Sequence, residues 1–523
     1  MRKQILTTAL VLGTTATAWA GGFLTNSNQN AAFLRNPARD GYIAIDGCYY
    51  NPAGVGFMSE GWHLGFDIQS AYQTRTVETF FPFFQGGIVN GIANGQHQEK
   101  KFEGKATAPV IPSIDLARVG KRWFATLHFG ITGGGGKCKF DNGLPSFESQ
   151  VAMVPVLVNA INPGAVTGYS MDTYMQGRQY YFGGQFGVGY KLLPNLSVSA
   201  GGRVVYADCN YYGYVRNIQV QTAAGRVPAG TFFENANMPH FAALAGDREL
   251  NCDQTGWGFT PIIGVDYQLG KLNLAAKYEF KTRLRLKNRS GENTSGLEEY
   301  DDGKKLPADI PAILTLGAKY DVKDNVRLSA AFHYYFDKQA TQYGAREEKL
   351  EGGGWEVLAG AEVDLSKRIT VSAGWQTTNY GLGDNSRFIS DMSFVTNSNS
   401  VGLGARIKLR ERVALNVAYF KTIYKHYERK MDDYCDIKQT MGGMVTPLAQ
   451  QLQAGAQQLQ GIITNPNTPE ADRLVAQHQL GIISGELGAI QQISTGLGSL
   501  STAGRDNFHR TNDVFGIGLE IDF

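Results

Sequence analysis

Four basic side chains, His128, Arg203, Lys277 and His333, fall in the polar phase of segments where polar and apolar residues alternate. A cation at such a position can pair with a carboxylate, and arginine does so most readily, because its planar fork offers two parallel N–H donors. Two sources of that carboxylate stay open: a neighbouring acid such as Glu279, or the acid group of a ligand. Other chemistry is poorly represented. GxSxG, HExxH and P-loop patterns do not occur, so no catalytic residue is assigned and the chain reads as a non-enzyme. The cysteines form neither CxxC nor a Cys/His zinc spacing, and neither a metal nor a cofactor is implied.

The compartment in which these groups work is set by the N-terminus. Arg2 and Lys3 precede a mildly apolar stretch, Ile5 to Thr17, and Ala18-Trp19-Ala20 supplies the small residues that a signal peptidase reads. Residues 1–20 are therefore expected to be a secretory signal peptide, cut before Gly21. Five cysteines in an exported chain is an odd number, so at least one is unpaired or bonds to another chain. Cys209 and Cys252 flank one predicted long loop, but the pairing among Cys48, Cys138, Cys209, Cys252 and Cys435 stays open. The formal net charge of +2 includes the two basic residues of the leader, and no basic patch marks a nucleic-acid binder.

No apolar run after the leader is long enough for a membrane-spanning helix. A membrane protein of this sequence must close its backbone hydrogen bonds as a barrel. Composition agrees: 64 Gly, 25 Tyr and 28 Phe accompany a mean hydropathy of -0.23. Period-two alternation recurs almost to the end. In the segment starting at Lys271, Leu272, Leu274, Ala276, Tyr278 and Phe280 alternate with Asn273, Ala275, Lys277 and Glu279; Ile369, Val371, Ala373 and Trp375 alternate with Thr370, Ser372, Gly374 and Gln376. Candidate strands lie near 61–76, 105–117, 122–139, 177–191, 196–216, 255–269, 271–287, 311–321, 326–338, 355–365, 368–379, 397–410, 412–427 and 511–523, fourteen in all. Short turns such as Val119-Gly120-Lys121 and Leu193-Pro194-Asn195 alternate with long links such as 140–176, 217–254, 288–310 and 428–510. That is the habit of outer-membrane barrels, with short periplasmic turns and longer extracellular loops. Trp62, Trp123, Tyr190 and Tyr320 fall near the short-turn ends of their strands, and Trp257 and Trp355 near the long-loop ends, as two interfacial girdles would require. The final segment alternates to Phe523, like the C-terminal strand by which outer-membrane proteins are recognised for assembly. Within 428–510, Leu448, Leu452, Leu459 and Ile463, and then Leu487, Ile490 and Ile493, follow helical spacing, with Thr468 placed to cap a helix beginning at Pro469.

Gly21 to Phe57 does not alternate, and its Gly, Asn and Pro content suits a compact plug rather than a strand. Here Asn51-Pro52-Ala53-Gly54 resembles the NPA motif of the FadL/TodX family of long-chain fatty-acid and hydrocarbon transporters, and Asn36-Pro37-Ala38 is similar to the hatch of Bacteroidetes-like members. The resemblance implies a 14-stranded antiparallel barrel (58–523) plugged by an N-terminal hatch (21–57), with a helical extracellular loop at 428–510. It also implies sideways release beside an inward kink of the third strand. In this chain that strand carries Gly130 and then Gly133, Gly134, Gly135 and Gly136, and glycine weakens strand pairing.

The sequence therefore leads to a monomeric outer-membrane transporter of a Gram-negative bacterium, passing hydrophobic compounds such as long-chain fatty acids by diffusion. Its expected partners are outer-membrane lipid, the hydrophobic substrate and the barrel-assembly machinery. Two other readings stay open: an adhesin or surface-assembly protein acting through 428–510, and a general diffusion porin.

Overall fold

Alternation sends successive side chains to opposite faces of a sheet, so a segment with one apolar and one polar face can roll up with its apolar face outward. The computed structural model, which describes residues 25–523 apart from 384–387 and 393, has this arrangement. The leader expected at 1–20 lies outside the described residues. The barrel strands are β1 (Gly61–Phe80), β2 (Glu99–Val119), β3 (Trp123–Phe140), β4 (Gly168–Leu193), β5 (Leu196–Thr222), β6 (Arg248–Leu269) and β7 (Leu272–Glu279). They continue with β8 (Ile313–Lys323), β9 (Val326–Tyr335), β10 (Trp355–Asp364), β11 (Ile369–Asn379), β12 (Ser398–Arg410), β13 (Val413–Tyr424) and β14 (Gly504–Asp522). Each pairs antiparallel with the next, and β14 returns to β1 with His63 opposite Asp522 and Phe80 opposite Arg505. The result is a closed 14-stranded barrel without a free edge.

The faces segregate as the pattern requires. On β1, Trp62, Phe66 and Tyr72 point outward and are exposed, whereas His63, Asp67, Gln69, Gln73 and Arg75 point inward and are buried. Trp123, Tyr190, Tyr320 and Trp257 are likewise exposed on the outer surface. A continuous outer band of Leu, Ile, Val and Phe needs an apolar surrounding, because water would leave a patch of this extent exposed. No helix among the described residues is long and apolar enough to cross a membrane, so any crossing is made by these strands.

Three features differ from the sequence expectation. First, β4 and β5 reach 26 and 27 residues, well beyond the ~10 that cross a bilayer. Their extensions carry Tyr174, Tyr212 and Tyr214 among polar residues, so the polar and apolar alternation fades along them. Second, the seventh segment is broken: the ladder of β7 stops at Glu279 and resumes as Arg285–Asn293, still against β6. Third, the N-cap before the last helix is Pro469 rather than Thr468.

Above the barrel the long links fold into one cap. It contains α2 (Pro145–Ala152), α3 (Val154–Ile161), α4 (Ala229–Asn235), α5 (Pro239–Leu244) and the long hairpin α6 (Ile437–Thr464) and α7 (Glu470–Ser499). Phe81, Phe147, Tyr169, Phe233, Phe241 and Ile493 belong to its common apolar core. The helical hairpin expected in 428–510 is present, and the face of α7 carrying Ile490, Ile493 and Leu497 packs into this core. All five cysteines are free; Cys209 lies opposite Gln254 and Cys252 opposite Tyr211, so the two thiols are diagonal neighbours and not a bonded pair.

Candidate functional site

Residues 25–58 occupy the barrel interior, where strand side chains meet them from every side. Their one helix, α1 (Ala31–Arg35), is short and buried, and its first turn is fixed from both ends. The Asn30 side chain accepts the N–H of Phe33 at 2.9 Å, and Asp67 of β1 accepts the N–H of Ala31 at 2.8 Å. The two Asn-Pro-Ala segments then perform one task twice. Asn51 Oδ1 accepts the Gly54 N–H at 3.0 Å, while its amide donates to Asp266 of β6. Asn36 Oδ1 accepts the Ala38 N–H at 3.2 Å, while its amide donates to Ser329 Oγ of β9 at 3.2 Å. In each, proline pre-sets the turn and asparagine both closes it and ties it to the wall. Arg35 pairs with Glu362 of β10, and Arg39 pairs with Asp46 at 2.7 Å within the plug.

Three of the four cations singled out by sequence converge on one plug residue. The Tyr49 ring lies 4.9 Å from the His128 ring, 4.8 Å from the Arg203 guanidinium and 4.8 Å from the Lys277 ammonium. His128 also meets Asp115 at 2.9 Å and Gln29 at 3.3 Å. Arg203 donates to Glu279 at 2.8 and 3.1 Å and to Gln185 Oε1 at 2.6 and 3.1 Å. Lys277 pairs with the same Glu279 at 2.8 Å and donates to the Tyr49 carbonyl at 2.8 Å. His333 stands apart, between Asp40 of the plug at 3.0 Å and Glu356 of β10 at 2.9 Å. Every one of the four reaches the plug or an acid that a neighbouring cation shares.

Sequence reasoning did not find the wall acids that the plug and His333 meet, namely Asp67 at the Ala31 N–H, Asp266 at the Asn51 amide, Glu362 at Arg35 and Glu356 at His333, nor the glycines that let the plug approach. A Cβ on Gly360 would lie 1.9 Å from Asn36 Oδ1. Gly317, Gly374 and Gly402 face the plug backbone or ring in the same way. A glycine at an inward position of a regular strand is the legible signal, since it marks close approach of another chain segment.

The barrel wall is interrupted beside the plug. β2 and β3 pair from Val119/Phe124 to Ile114/Phe129 and again from Ala106/Cys138 to Gly104/Phe140. Between these, 107–113 and 130–137 form no ladder with each other. The glycines singled out by sequence lie in this stretch, where β3 also shifts register twice against β4. Gly134 has φ 90°, a left-handed conformation that a side chain would strain. The plug's first residues cross the inner side of the window: the Asn26 N–H donates to the Thr132 carbonyl at 2.9 Å, Gln29 Nε2 to the Ile131 carbonyl at 3.1 Å, and Ser113 Oγ donates to the Gln29 carbonyl at 2.6 Å. Backbone groups left by the broken ladder are thus taken by the plug. Ala108, Ile111 and Ile131 meet Phe33 and Tyr50 of the plug in one apolar cluster on the lumen side.

In the cap, a cavity of about 100 Å³ is lined mainly by apolar groups, among them Val151, Leu157, Ile218, Phe233, Phe241 and Val445. Nearby, burial pushes the Glu148 carboxyl up from its ordinary value, although Lys100 lies at 2.6 Å and the Tyr169 hydroxyl at 3.0 Å. Burial also raises Asp391, which accepts the Ser146 N–H in the first turn of α2 at 2.8 Å.

Neither a protein-family model nor a curated protein sequence matches the chain. Among solved structures it is similar to a Pseudomonas aeruginosa FadL homologue, with a TM-score of 0.54 and 13% identity over 96% of this chain and 100% of that one. It is also similar to the Pseudomonas putida toluene transporter TodX, with a TM-score of 0.48 and 13% identity over 92% of this chain and 95% of that one. The FadL/TodX resemblance of the sequence is thereby matched by the FadL fold, a plugged 14-stranded barrel.

Proposed function

We propose that this chain is an outer-membrane passive channel for hydrophobic compounds, which leave the barrel sideways through the window between β2 and β3. One observation carries the reading: the interior is filled by a plug tied to many strands, while the wall beside it lacks its ladder over 107–113 and 130–137. A plug fixed in this way blocks an axial aqueous route, whereas an interruption lined by Ala108, Ile111 and Ile131 suits an apolar solute moving into lipid. The apolar cavity of the cap supplies a place of capture above it. Toluene, the compound carried by TodX, belongs to the same chemical class, and long-chain fatty acids are a second candidate cargo. The channel is non-enzymatic, uses no cofactor or energy source, and works as a monomer inserted by the barrel-assembly machinery through its C-terminal strand.

Deleting Gly134 and Gly135 tests this directly, because β3 carries two extra residues there relative to β4. Expressed in cells lacking their own channel, the folded deletion protein is expected to lower uptake of a hydrophobic compound at least about tenfold. Unchanged uptake refutes lateral release. Rapid swelling of liposomes in small sugars favours a porin instead.

A further inference from the structure

The seventh barrel segment carries a column of basic side chains on the outside of the barrel. Between Glu279, opposite Ile262, and Lys287, opposite Thr255, this segment holds one more residue than β6, which is a β-bulge. The extra residue reverses the phase of the strand. Before it, Leu274, Tyr278 and Phe280 face outward; after it, Leu284 and Leu286 turn into the apolar core of the cap, and Arg283, Arg285, Lys287 and Arg289 are exposed on the outer side. Successive members of such a column stand about 7 Å apart. Lys305 adds to it, lying directly opposite Lys287 where Lys305–Pro307 pairs with Arg285–Asn293. Acids answer only part of this charge. Asp309 takes Arg285 at 2.9 Å and Lys281 at 3.5 Å. Asp253 of β6 stands opposite Arg289, but its carboxylate accepts Asn210 Nδ2 at 2.9 Å. Among the described residues Arg283, Lys287, Arg289 and Lys305 form no ion pair.

Like charges set opposite or in line on one face of a sheet repel, and the repulsion is relieved when anions gather on them. The height of the column says which anions. An aromatic belt crosses the outer face from β5 to β9: Tyr206 lies 4.6 Å from Trp257, Tyr278 4.8 Å from Phe280, and Tyr334 4.9 Å from Phe336. Aromatic side chains of a membrane barrel collect at the level of the lipid headgroups. Arg285 is beside this belt, since its carbonyl lies 2.5 Å from where a Cβ on Gly256, the neighbour of Trp257, would stand. Lys287 and Arg289 follow on the side of the long links. On the side of the short turns the same strands form a shallow outward depression lined by Leu274, Ala276, Leu316, Ala318 and Phe332. Cations above, aromatics at the boundary and a greasy groove beneath match the phosphate, the interface and the acyl chains of one lipid in their order. A free anion would meet only the first of these layers. Arginine suits the phosphate because its fork offers two parallel donors.

We propose that Arg283, Arg285, Lys287, Arg289 and Lys305 hold the phosphate of an anionic membrane lipid whose acyl chains run past Trp257 and Phe280. The site rests on the reading of the chain as an outer-membrane barrel and singles out one class of lipid from those around it. The test reads Trp257 fluorescence of the full-length barrel in phosphatidylcholine nanodiscs, with Trp62, Trp123, Trp355 and Trp375 changed to Phe and Trp19 falling in the expected leader. A minor share of the lipid carries brominated acyl chains and is either phosphatidylglycerol or phosphatidylcholine. Brominated phosphatidylglycerol is expected to quench Trp257 at a mole fraction at least about fivefold lower than brominated phosphatidylcholine. The combined variant Arg283→Gln, Lys287→Gln and Arg289→Gln is expected to lose that preference while quenching by brominated phosphatidylcholine stays unchanged. Equal quenching by the two lipids in the protein that keeps all five cations overturns the phosphate site and leaves the barrel reading standing; this comparison does not depend on the triple variant. Full preference retained in the triple variant also overturns the site. Quenching by neither lipid places Trp257 outside the bilayer and overturns both.

Discussion

Replacing Glu279 by Gln attacks an ion cluster through which the wall holds the plug. Glu279 is 3% exposed and pairs with both Arg203 and Lys277, which are 4% and 5% exposed. The substitution keeps the shape of the side chain but leaves two buried cations facing one neutral amide. Removing one partner of a buried ion pair costs about 3–5 kcal/mol, and the retained contacts with Gln185, Tyr49 and the Tyr49 ring argue for the middle of that range, about 4 kcal/mol. The strain falls on the plug, because Arg203 and Gln185 lead to it: Gln185 Nε2 donates to the Cys48 carbonyl at 2.7 Å. Cys48 is itself a reporter, being free, wholly buried and part of the plug. In a background with Cys138, Cys209, Cys252 and Cys435 changed to Ser, the rate of Cys48 modification by a small water-soluble maleimide measures how often the plug opens. About 4 kcal/mol corresponds to a rise on the order of a thousandfold. A folded Glu279→Gln barrel whose labelling rises less than about tenfold would refute the claim that this ion cluster latches the plug.

Three further outcomes follow from the same contacts. Gly360→Val places a side chain where Asn36 lies, and is expected to destabilise plug seating by about 1–3 kcal/mol, read as more frequent conducting events in planar bilayers; an unaltered record contradicts the close approach. Asn51→Ala removes the turn closure at Gly54 and the tie to Asp266, costing about 1–2 kcal/mol, visible as faster Cys48 labelling in the same background. In the cap, the folded state raises the Asp391 carboxyl above its ordinary 3.8, so the folded cap binds that proton more tightly than the unfolded one. Its contribution is greatest below about 3.8 and is lost as pH rises through the raised value. Loop proteolysis should therefore show a weaker dependence on pH above 3.8 in Asp391→Asn than in the parent protein, and identical profiles would exclude Asp391 as a source.

Much of this molecule is legible one segment at a time. Lys277 could be placed in the lumen from Leu272, Leu274 and Ala276 alone, because side chains alternate strictly along a strand and a slip of one residue would turn the apolar face inward. The order of short and long links gives the count of fourteen for the same local reason. The plug was legible as a failure of alternation, and Asn51 and Asn36 as turn formers, since asparagine and proline bias their own backbones. The fate of the cations was not. Whether Arg203 meets Glu279 or a ligand depends on shear and on what fills the bore, and neither leaves a trace in a period of two. The same holds for Asn36 against Gly360, residues joined only by the closed ring.

Sequence by itself determined which residues face outward, which face inward, how many strands the barrel has and which stretch cannot be a strand, because these follow from short-range periodicity and backbone preference. Tertiary structure alone decided which acid each cation meets, where the ladder between β2 and β3 breaks, and that Arg75 is left without a partner among the described residues. Those outcomes are set by contacts between strands and plug far apart in the chain, whose energies exist only once the barrel has closed around its own N-terminal segment.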